Sequence, residues 1–144
     1  MKYYLAYGSN LNIRQMQMRC PGAKPVGTMV LEDYELLFKG SKTGSYLTIE
    51  KKKGGKVPVG IWQVSEQHEK ALDRYEGFPA FYYKKEIPIP EGRKAFVYIM
   101  HEDRPFGIPS KFYVDVCRIG YQDVGFDETY LFNALTKSKD AVTV

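Results

Sequence analysis

The chain has 144 residues, of which 44% are hydrophobic and 26% are charged. These values are typical of a single globular domain and indicate neither a disordered chain nor a membrane protein. The formal net charge of +4 is modest, and no aromatic residues alternate with the densest basic run, at 51–56. We therefore expect no nucleic-acid partner.

Cysteine and histidine are too sparse for a structural zinc site. Cys20 and Cys117 are far apart in the chain, as are His68 and His101. Zinc sites need ligands at short spacings, so we expect no metal. The chain begins directly with strand-forming residues and contains no apolar run of about 18 residues. These features predict a cytoplasmic protein without a membrane span.

The first element is an apolar strand at 2–7 that stops abruptly at Gly8, and a helical pattern follows over 13–19. Gly8 allows a ligand to approach the backbone closely. Three nearby side chains are suitable helix caps: Ser9, Asn10 and Asn12. Because the first N–H groups of a helix have no partner within it, the turn predicts an anion or oxyanion site. A well-capped turn without a ligand is the alternative.

The segment from residue 24 to residue 64 predicts a series of strands. Their expected bounds are 24–31, 34–38, 46–50 and 57–64. The polar stretch 40–44 is expected to be a loop, and the lysine-rich run at 51–56 an exposed hairpin tip. Gly60, inside the last of these strands, indicates a bulge or a close approach of another group to the backbone.

A helix with clear ends follows, from an N-cap at Ser65 to Glu76. Gly77 suits the position after the helix, and Pro79 prevents its continuation. Helical spacing predicts one buried face: His68, Ala71, Leu72 and Tyr75. The carboxyl end of the helix, together with burial beside Tyr75 and Phe78, is expected to raise the pKa of Glu76. A solvated surface glutamate is the alternative.

A β-hairpin is predicted next, with strands at 81–90 and 94–100 around Glu91-Gly92. We expect two sets of side chains to share one of its faces: Tyr83, Ile87 and Ile89 against Phe96, Tyr98 and Met100.

Two helices complete the chain. A helix capped by Ser110 should run to about Gly120 and bury Phe112, Val116 and Ile119. The last helix should start near Asp127, and the tail from about Ser138 should be frayed. This order of strands and helices predicts one α+β domain over residues 1–144.

Four separated segments together resemble the γ-glutamylcyclotransferase-like family. They are Tyr7-Gly8-Ser9-Asn10-Leu11, Val59-Gly60-Ile61-Trp62, Leu72-Asp73-Arg74-Tyr75-Glu76-Gly77, and Pro109-Ser110-Lys111-Phe112-Tyr113 followed by Gly120 and Gly125. The resemblance implies a small, closed or nearly closed β-barrel of mixed strands, flanked by helices, with a cavity at one end. Where the family often has an aromatic-Arg pair, this chain has Tyr83-Lys84.

The same resemblance implies an activity. In a γ-glutamyl compound, the free α-amine would attack the side-chain carbonyl, forming 5-oxoproline and releasing the other amine without a cofactor or a metal. Glu76 would act as the general acid and base. The implied substrate-binding residues are Ala6, Tyr7, Gly8, Ser9, Asn10 and Tyr113. The expected partner is a small γ-glutamyl molecule, and the protein would be a monomer or a homodimer.

Three functions stay open at this level. The first is a cyclotransferase that acts on a γ-glutamyl amino acid or a γ-glutamyl amine. The second is a binding module that keeps the fold without catalysis, and the third removes a γ-glutamyl protecting group from a larger biosynthetic intermediate. An unpaired glutamate in the cavity favours an enzyme. The loops at 40–44 and 101–109 are the candidates for the pocket of the leaving amine.

Nucleophilic catalysis is the weaker alternative. Ser9 lacks the glycine two residues later that a nucleophile elbow needs. Cys117 lies among apolar residues with no charged activator near it in the sequence, so we expect a buried thiol there.

Overall fold

Within residues 1–41 and 43–142, which the computed structural model describes, five strands and four helices form an α+β fold. In chain order they are β1 (Lys2–Ala6), a 3₁₀ turn (Ser9–Leu11), α1 (Ile13–Arg19), β2 (Lys24–Ser41), β3 (Gly44–Val64), α2 (Glu66–Glu76), β4 (Tyr82–Ile89), β5 (Arg93–Met100), α3 (Lys111–Val124) and α4 (Thr129–Val142). The expected α+β class is confirmed. Within these ranges, none of the helices has the length and apolar character needed to cross a membrane.

The sheet has the strand order β2-β3-β1-β5-β4, with β1 at its centre. β1 runs antiparallel to β3 and parallel to β5. β2 and β4 are the two edge strands of the described sheet, so the expected barrel does not close fully. Since β1 is paired on both sides, the turn that follows it starts from a fixed point.

β2 and β3 form one long hairpin rather than four separate strands. Their pairing shifts between Glu32 and Tyr34, opposite the lysine-rich run at 51–56. There the Gly54 N–H donates to the carboxylate of Asp33 (2.9 Å). The lysine-rich run is therefore a bulge inside β3, and the prediction of a hairpin tip is wrong.

The first half of β3 is also bonded to the other end of the sheet. The Tyr82 hydroxyl donates to the Leu47 carbonyl (2.7 Å), and the Met100 N–H donates to the Thr48 hydroxyl (2.9 Å). These bonds hold Leu47 close to the start of β4. The side chains of this region consequently face one another across a cavity.

The ends of α2 are those that the sequence predicts. Ser65 caps the helix by accepting the His68 N–H (3.1 Å), while His68 Nδ1 accepts the Ser65 N–H (3.1 Å). Gly77 adopts the left-handed conformation (φ 65°), so Glu76 is the last helical residue. Leu72 is buried as expected, but Tyr75 is 45% exposed, and its predicted burial in the core is wrong.

The β4–β5 hairpin turns at the predicted residues but in a different register. Glu91 and Gly92 both have positive φ (69° and 70°). The opposite pairs are Tyr82 with Met100, Lys84 with Tyr98, and Glu86 with Phe96. Phe96, Tyr98 and Met100 thus share a face with Tyr82 instead of Tyr83, and the expected face sets are wrong. A register shift of one residue moves every side chain to the other face.

α3 buries a different face from the one expected. Phe112 is 75% exposed and Ile119 is 49% exposed, while the helix buries Cys117, Gly120 and Tyr121. α4 continues to Val142, and the buried Ser138 hydroxyl donates to the Phe38 carbonyl (2.8 Å). The prediction of fraying from Ser138 is therefore wrong up to residue 142, and residues 143–144 lie outside the described ranges.

Candidate active site

The turn after β1 leads through one 3₁₀ turn into α1. The Leu11 N–H donates to the Gly8 carbonyl (3.0 Å), and Asn12 caps α1 by accepting an N–H of its first turn (3.1 Å). Of the three expected caps, Asn12 is the one that is used. Within the described ranges, the N–H groups of Ser9 and Asn10 have no protein acceptor. They are therefore available to a ligand.

Two glycines let neighbouring elements pack directly against this turn. A β-carbon at Gly60 in β3 would lie 2.8 Å from Leu11 Cδ2. A β-carbon at Gly120 in α3 would lie 2.6 Å from the backbone nitrogen of Asn12. The close approach predicted at Gly60 is confirmed. Because β3 and α3 both press on the turn, its position is fixed by the fold.

The Asn10 side chain holds the turn in place. Its Nδ2 donates to the Tyr4 hydroxyl (2.8 Å), and its Oδ1 accepts from Arg19 Nη1 (2.5 Å). The Asn10 carbonyl accepts from Trp62 Nε1 (3.1 Å). The amide side chain is thus occupied by the protein, which leaves the backbone N–H as the group that Asn10 can offer to a substrate.

Arg19 and Tyr75 connect the turn to the end of α2. The Arg19 guanidinium lies 3.5 Å from the centroid of the Tyr75 ring, and the Tyr75 hydroxyl is 3.2 Å from Ser9 Oγ. Tyr75 directly precedes Glu76 in the sequence. These contacts therefore bring the strand-to-helix turn and the end of α2 to the same place.

A cavity of about 490 Å³ lies where these elements meet. This volume is in the range of small-molecule sites. Six of the seven residues expected at the site line it: Tyr7, Gly8, Ser9, Asn10, Glu76 and Tyr113. Ala6 does not; it is buried in β1, where it pairs with Gly60.

Glu76 supplies the one carboxyl group among the described residues that line the cavity. Within the described part of the chain, no side chain or backbone N–H donates a hydrogen bond to it and no cation pairs with it. Burial raises the pKa of Glu76 to about 8, and the positive charge of Arg19 lowers it by a smaller amount. The direction agrees with expectation. Tyr75 lines the same cavity although it is 45% exposed, and Phe78 is 37% exposed.

Five further tyrosines line the cavity, and sequence reasoning missed several of them. The missed ones are Tyr4, Tyr46 and Tyr98, whereas Tyr82, at the predicted strand start of β4, lines the cavity as expected. Burial raises the pKa of Tyr4, Tyr7, Tyr82 and Tyr113 well above the usual value, so their hydroxyls stay neutral. The sequence contains 12 tyrosines, and this high content was the available signal. Such hydroxyls can orient a substrate but cannot accept its proton at neutral pH.

The tyrosine hydroxyls also fix the cavity wall. The Leu47 N–H donates to the Tyr113 hydroxyl (3.1 Å), and the Tyr7 hydroxyl donates to the Tyr98 carbonyl (2.7 Å). The Tyr4 hydroxyl accepts from Asn10 and keeps its own proton for donation into the cavity. The wall is thus polar and held in place by hydrogen bonds to the backbone.

A charged cluster supports the outer side of α2. The Tyr98 hydroxyl donates to Asp73 (2.6 Å), and Lys84 Nζ lies 3.0 Å from Asp73 and 2.8 Å from Glu69. Lys84, which stands where the family often has arginine, therefore does not line the cavity. Its ion pair with Asp73 holds the helix one turn before Glu76.

The side chains that could otherwise act as nucleophile or base are unsuited. Burial raises the pKa of the Cys117 thiol to about 12, which confirms the expected buried thiol. His68 and His101 lie outside the cavity lining and contact the carbonyls of Pro21 and Pro79. Ser9 thus has no histidine beside it. In the described ranges, no three His, Cys, Asp or Glu residues cluster closely enough to hold a metal ion.

The fold and the site together define a class: a small α+β protein with an unpaired glutamate in a tyrosine-rich cavity, beside the free amides of a strand-to-helix turn. Residues 4–115 match the family described as gamma-glutamyl cyclotransferase, AIG2-like. The chain belongs to this family. The resemblance drawn from the four sequence segments is therefore confirmed.

Related proteins agree with this assignment. Human gamma-glutamylcyclotransferase is 27% identical over 141 residues, which are 88% of this chain and 73% of that protein. A solved structure of a gamma-glutamyl cyclotransferase is 26% identical, with a TM-score of 0.74, over 96% of this chain and 86% of the other. An AIG2-like protein from Mus musculus shares the fold at 21% identity and a TM-score of 0.57, over 79% and 82% of the two chains.

Valine at Gly8 should reduce activity more than stability. A β-carbon at Gly8 would lie 3.2 Å from Leu47 Cδ1 and 3.5 Å from the Tyr113 hydroxyl, where a substrate would meet the turn. We expect Gly8→Val to lower turnover about tenfold or more and the free energy of unfolding by about 1 kcal/mol. Gly27→Val is the control, because a β-carbon there meets nothing within 4 Å. If Gly8→Val is folded and has normal turnover, the turn has a structural role and does not bind the substrate.

Proposed function

We propose that this protein is a γ-glutamyl cyclotransferase, which converts a γ-glutamyl compound to 5-oxoproline and a free amine. The observation that carries the proposal is the unpaired carboxyl group of Glu76, with its pKa raised to about 8, in the same cavity as the amides of Ser9 and Asn10. A group whose pKa lies near the working pH can both accept and return a proton. The names of the relatives described above support the same activity.

The reaction needs one bond to form and one to break. The α-amine nitrogen of the substrate attacks its side-chain carbonyl carbon, closing a five-membered ring, and the bond from that carbon to the leaving nitrogen breaks. Glu76 takes a proton from the attacking amine and gives it to the leaving amine. No water is consumed, and both reacting groups belong to one molecule. The protein therefore has to fold the substrate into the attack geometry and to move one proton.

The turn and the tyrosines would hold the substrate for this step. The N–H groups of Ser9 and Asn10 bind negatively charged oxygens, as helix N-termini do. Tyr4 and Tyr113 present hydroxyl groups along the wall. Because these donors are fixed by the fold, they need little reorganisation as charge develops on the carbonyl oxygen.

The free thiols of Cys20 and Cys117 support the proposal of a cytoplasmic enzyme, since reducing compartments keep cysteines unpaired. A binding module on the same fold is the competing function. It would have no need for a carboxyl group whose burial costs free energy and which the charge of Arg19 offsets only in part.

The test is to incubate the protein with a panel of γ-glutamyl amino acids and γ-glutamyl amines in the presence of a chelator. We expect 5-oxoproline and the free amine in equal amounts, with no free glutamate, because intramolecular attack excludes hydrolysis. Release of free glutamate would show that the protein hydrolyses γ-glutamyl compounds and does not cyclise them. Saturable binding of the panel without any product would identify a binding module.

A further inference from the structure

Arg19 contacts residues from both halves of the site without lining the cavity itself. Its Nη1 donates to Asn10 Oδ1 (2.5 Å), and its guanidinium lies 3.5 Å from the centroid of the Tyr75 ring. Asn10 belongs to the turn that offers the amides, and Tyr75 precedes Glu76 at the end of α2. Arg19 is not among the described residues that line the cavity, whereas Asn10, Tyr75 and Glu76 are. It can therefore act on a substrate only through the residues that it contacts.

Three contacts fix the guanidinium group of Arg19 at the same time. Besides those with Asn10 and the Tyr75 ring, its Nη2 donates to Gln15 Oε1 (2.9 Å), one turn earlier in α1. The Tyr75 hydroxyl lies 3.2 Å from Ser9 Oγ, so these contacts form a closed ring that starts and ends in the turn. A planar guanidinium can stack on an aromatic ring and donate hydrogen bonds from its edge, which an ammonium group cannot do. The arrangement therefore requires arginine at this position.

Other bonds attach the start of α2 to the residues that follow α1. His68 Nε2 lies 2.6 Å from the Pro21 carbonyl oxygen, and the buried Cys20 thiol donates to the His68 carbonyl (3.6 Å). Tyr75 lies about two helical turns further along α2 than His68. Loss of Arg19 should therefore loosen the end of α2 that carries Glu76, while the start of the helix stays attached and the protein stays folded.

The charge of Arg19 also acts on Glu76. In the described ranges no carboxylate forms an ion pair with Arg19, so its charge is not neutralised by a partner. Burial raises the pKa of Glu76, and the charge of Arg19 lowers it in part. The described cations of the lining are Arg74 and Arg104. Besides Tyr75, the other titratable groups around Glu76 are tyrosines, which are uncharged at neutral pH: Tyr4, Tyr7, Tyr46, Tyr82, Tyr98 and Tyr113.

We propose that Arg19 is a positioning residue for the cyclisation, which holds the amide-bearing turn and the Glu76 end of α2 at a fixed separation. This inference rests on the proposed function and assigns a role in it to a residue outside the cavity. The substrate must bind to the turn while its α-amine reaches Glu76, so both must be in place at once. A misplacement of about 1 Å can cost about 10²-fold in rate.

The test compares Arg19→Gln and Arg19→Lys with the control Arg14→Gln, at an exposed position on the same helix. We expect kcat for 5-oxoproline release to fall about 10- to 100-fold in both Arg19 variants, because neither side chain can reproduce the three contacts. In Arg19→Gln, the rise of kcat/KM with pH should move to higher pH by about 0.5 unit or more, since a positive charge near Glu76 is lost. Arg19→Lys keeps the charge and should keep the parent's pH profile, and Arg14→Gln should change neither quantity.

Rescue by a small molecule provides an independent measurement. Arg19 also lines an outer depression together with Pro21, Gln67 and Lys70, so a guanidinium ion from the solvent can reach the space that Arg19→Ala leaves. We expect guanidinium at millimolar concentrations, far below those that unfold proteins, to restore part of the turnover of Arg19→Ala. Urea at the same concentration has a similar shape but no charge, and it should restore none.

Two results would overturn the inference while leaving the proposed function intact. One is normal kcat and an unshifted pH profile in Arg19→Gln. The other is a loss of turnover that follows the loss of thermal stability in every Arg19 variant, with no shift in the pH profile and no rescue by guanidinium, which would give Arg19 a general structural role. A parent protein that releases no 5-oxoproline from the substrate panel would refute the proposed function and this inference together.

Discussion

Replacing Glu76 by Gln should reduce 5-oxoproline release by about 10³-fold or more while the protein stays folded. Glutamine has nearly the same size but cannot carry a proton between the two nitrogens. General acid–base catalysis contributes about 10²–10⁴-fold, and one carboxyl group serves both steps here, so the effect should be at the upper end. Binding of a γ-glutamyl compound should persist, because the turn and the tyrosine wall are unchanged.

The same substitution should stabilise the protein in a pH-dependent way. The pKa of Glu76 is about 8 in the folded state and 4.5 as its unperturbed value. Below pH 4.5 the carboxyl group is protonated in both states and costs nothing. Between pH 4.5 and 8 the unfolded state loses the proton first, so the free energy of unfolding of the parent falls as the pH rises. Glu76→Gln removes this loss, and its advantage should grow from pH 5 to pH 8 to a few kcal/mol.

Thermal unfolding at several pH values, ligand binding and turnover should be measured together. Glu66→Gln is the matched control, because Glu66 is an exposed residue in the first turn of the same helix. It should change turnover little and should show no stability gain between pH 5 and pH 8. Normal turnover in Glu76→Gln would show that Glu76 does not transfer the proton. Loss of the folded structure in this variant would show that Glu76 has a structural role.

Replacing Gly120 by Ala should displace the turn after β1, although Gly120 itself is not among the residues that line the cavity. Its β-carbon would lie 2.6 Å from the Asn12 nitrogen and 2.9 Å from the Leu11 carbonyl carbon. Both are backbone atoms, which cannot rotate away as a side chain can, so either α3 or the turn must shift. Overpacking of this kind costs about 1–3 kcal/mol, which exceeds the gain of about 1 kcal/mol in helix propensity.

We therefore expect Gly120→Ala to lower the free energy of unfolding by about 1–2 kcal/mol. Turnover should fall by about 10²-fold, because a displacement of about 1 Å at the turn misplaces the substrate. Ile119→Ala, at the neighbouring exposed position of α3, is the control and should have little effect on turnover. A Gly120→Ala variant with normal turnover and unfolding would show that α3 does not hold the turn.

Much of the site could be predicted because its parts are local in sequence. Gly8 ends a strand, Asn12 starts a helix, and Glu76 precedes Gly77 at a helix end. Each of these features depends on hydrogen bonds between residues that are a few positions apart. The motifs that carry the family resemblance are of the same local kind.

The parts that were missed depend on residues far apart in the chain. The register of the β4–β5 hairpin places Tyr98 on the same face as Tyr82, and both line the cavity. Alternation of apolar and polar residues does not determine the register of a strand pair to within one residue, so this placement could not be predicted. The exposed Phe112 of α3 was assigned to the core, because its helix has apolar residues on more than one face. The choice between such faces is made by the elements that the helix packs against.

The sequence by itself determined the α+β order, the ends of α2, the turn after β1 and the position of Glu76 at a helix end. These follow from conformational preferences and hydrogen bonds within short segments. Only the tertiary structure decided that the sheet is open, that the lysine-rich run is a bulge, and that Arg104, Tyr4, Tyr46 and Tyr98 line the same cavity as Glu76. The physical reason is that these features arise from packing and pairing between segments that are far apart in the chain. The free energy of such contacts depends on the whole fold, so the spacing of residues within one segment does not predict them.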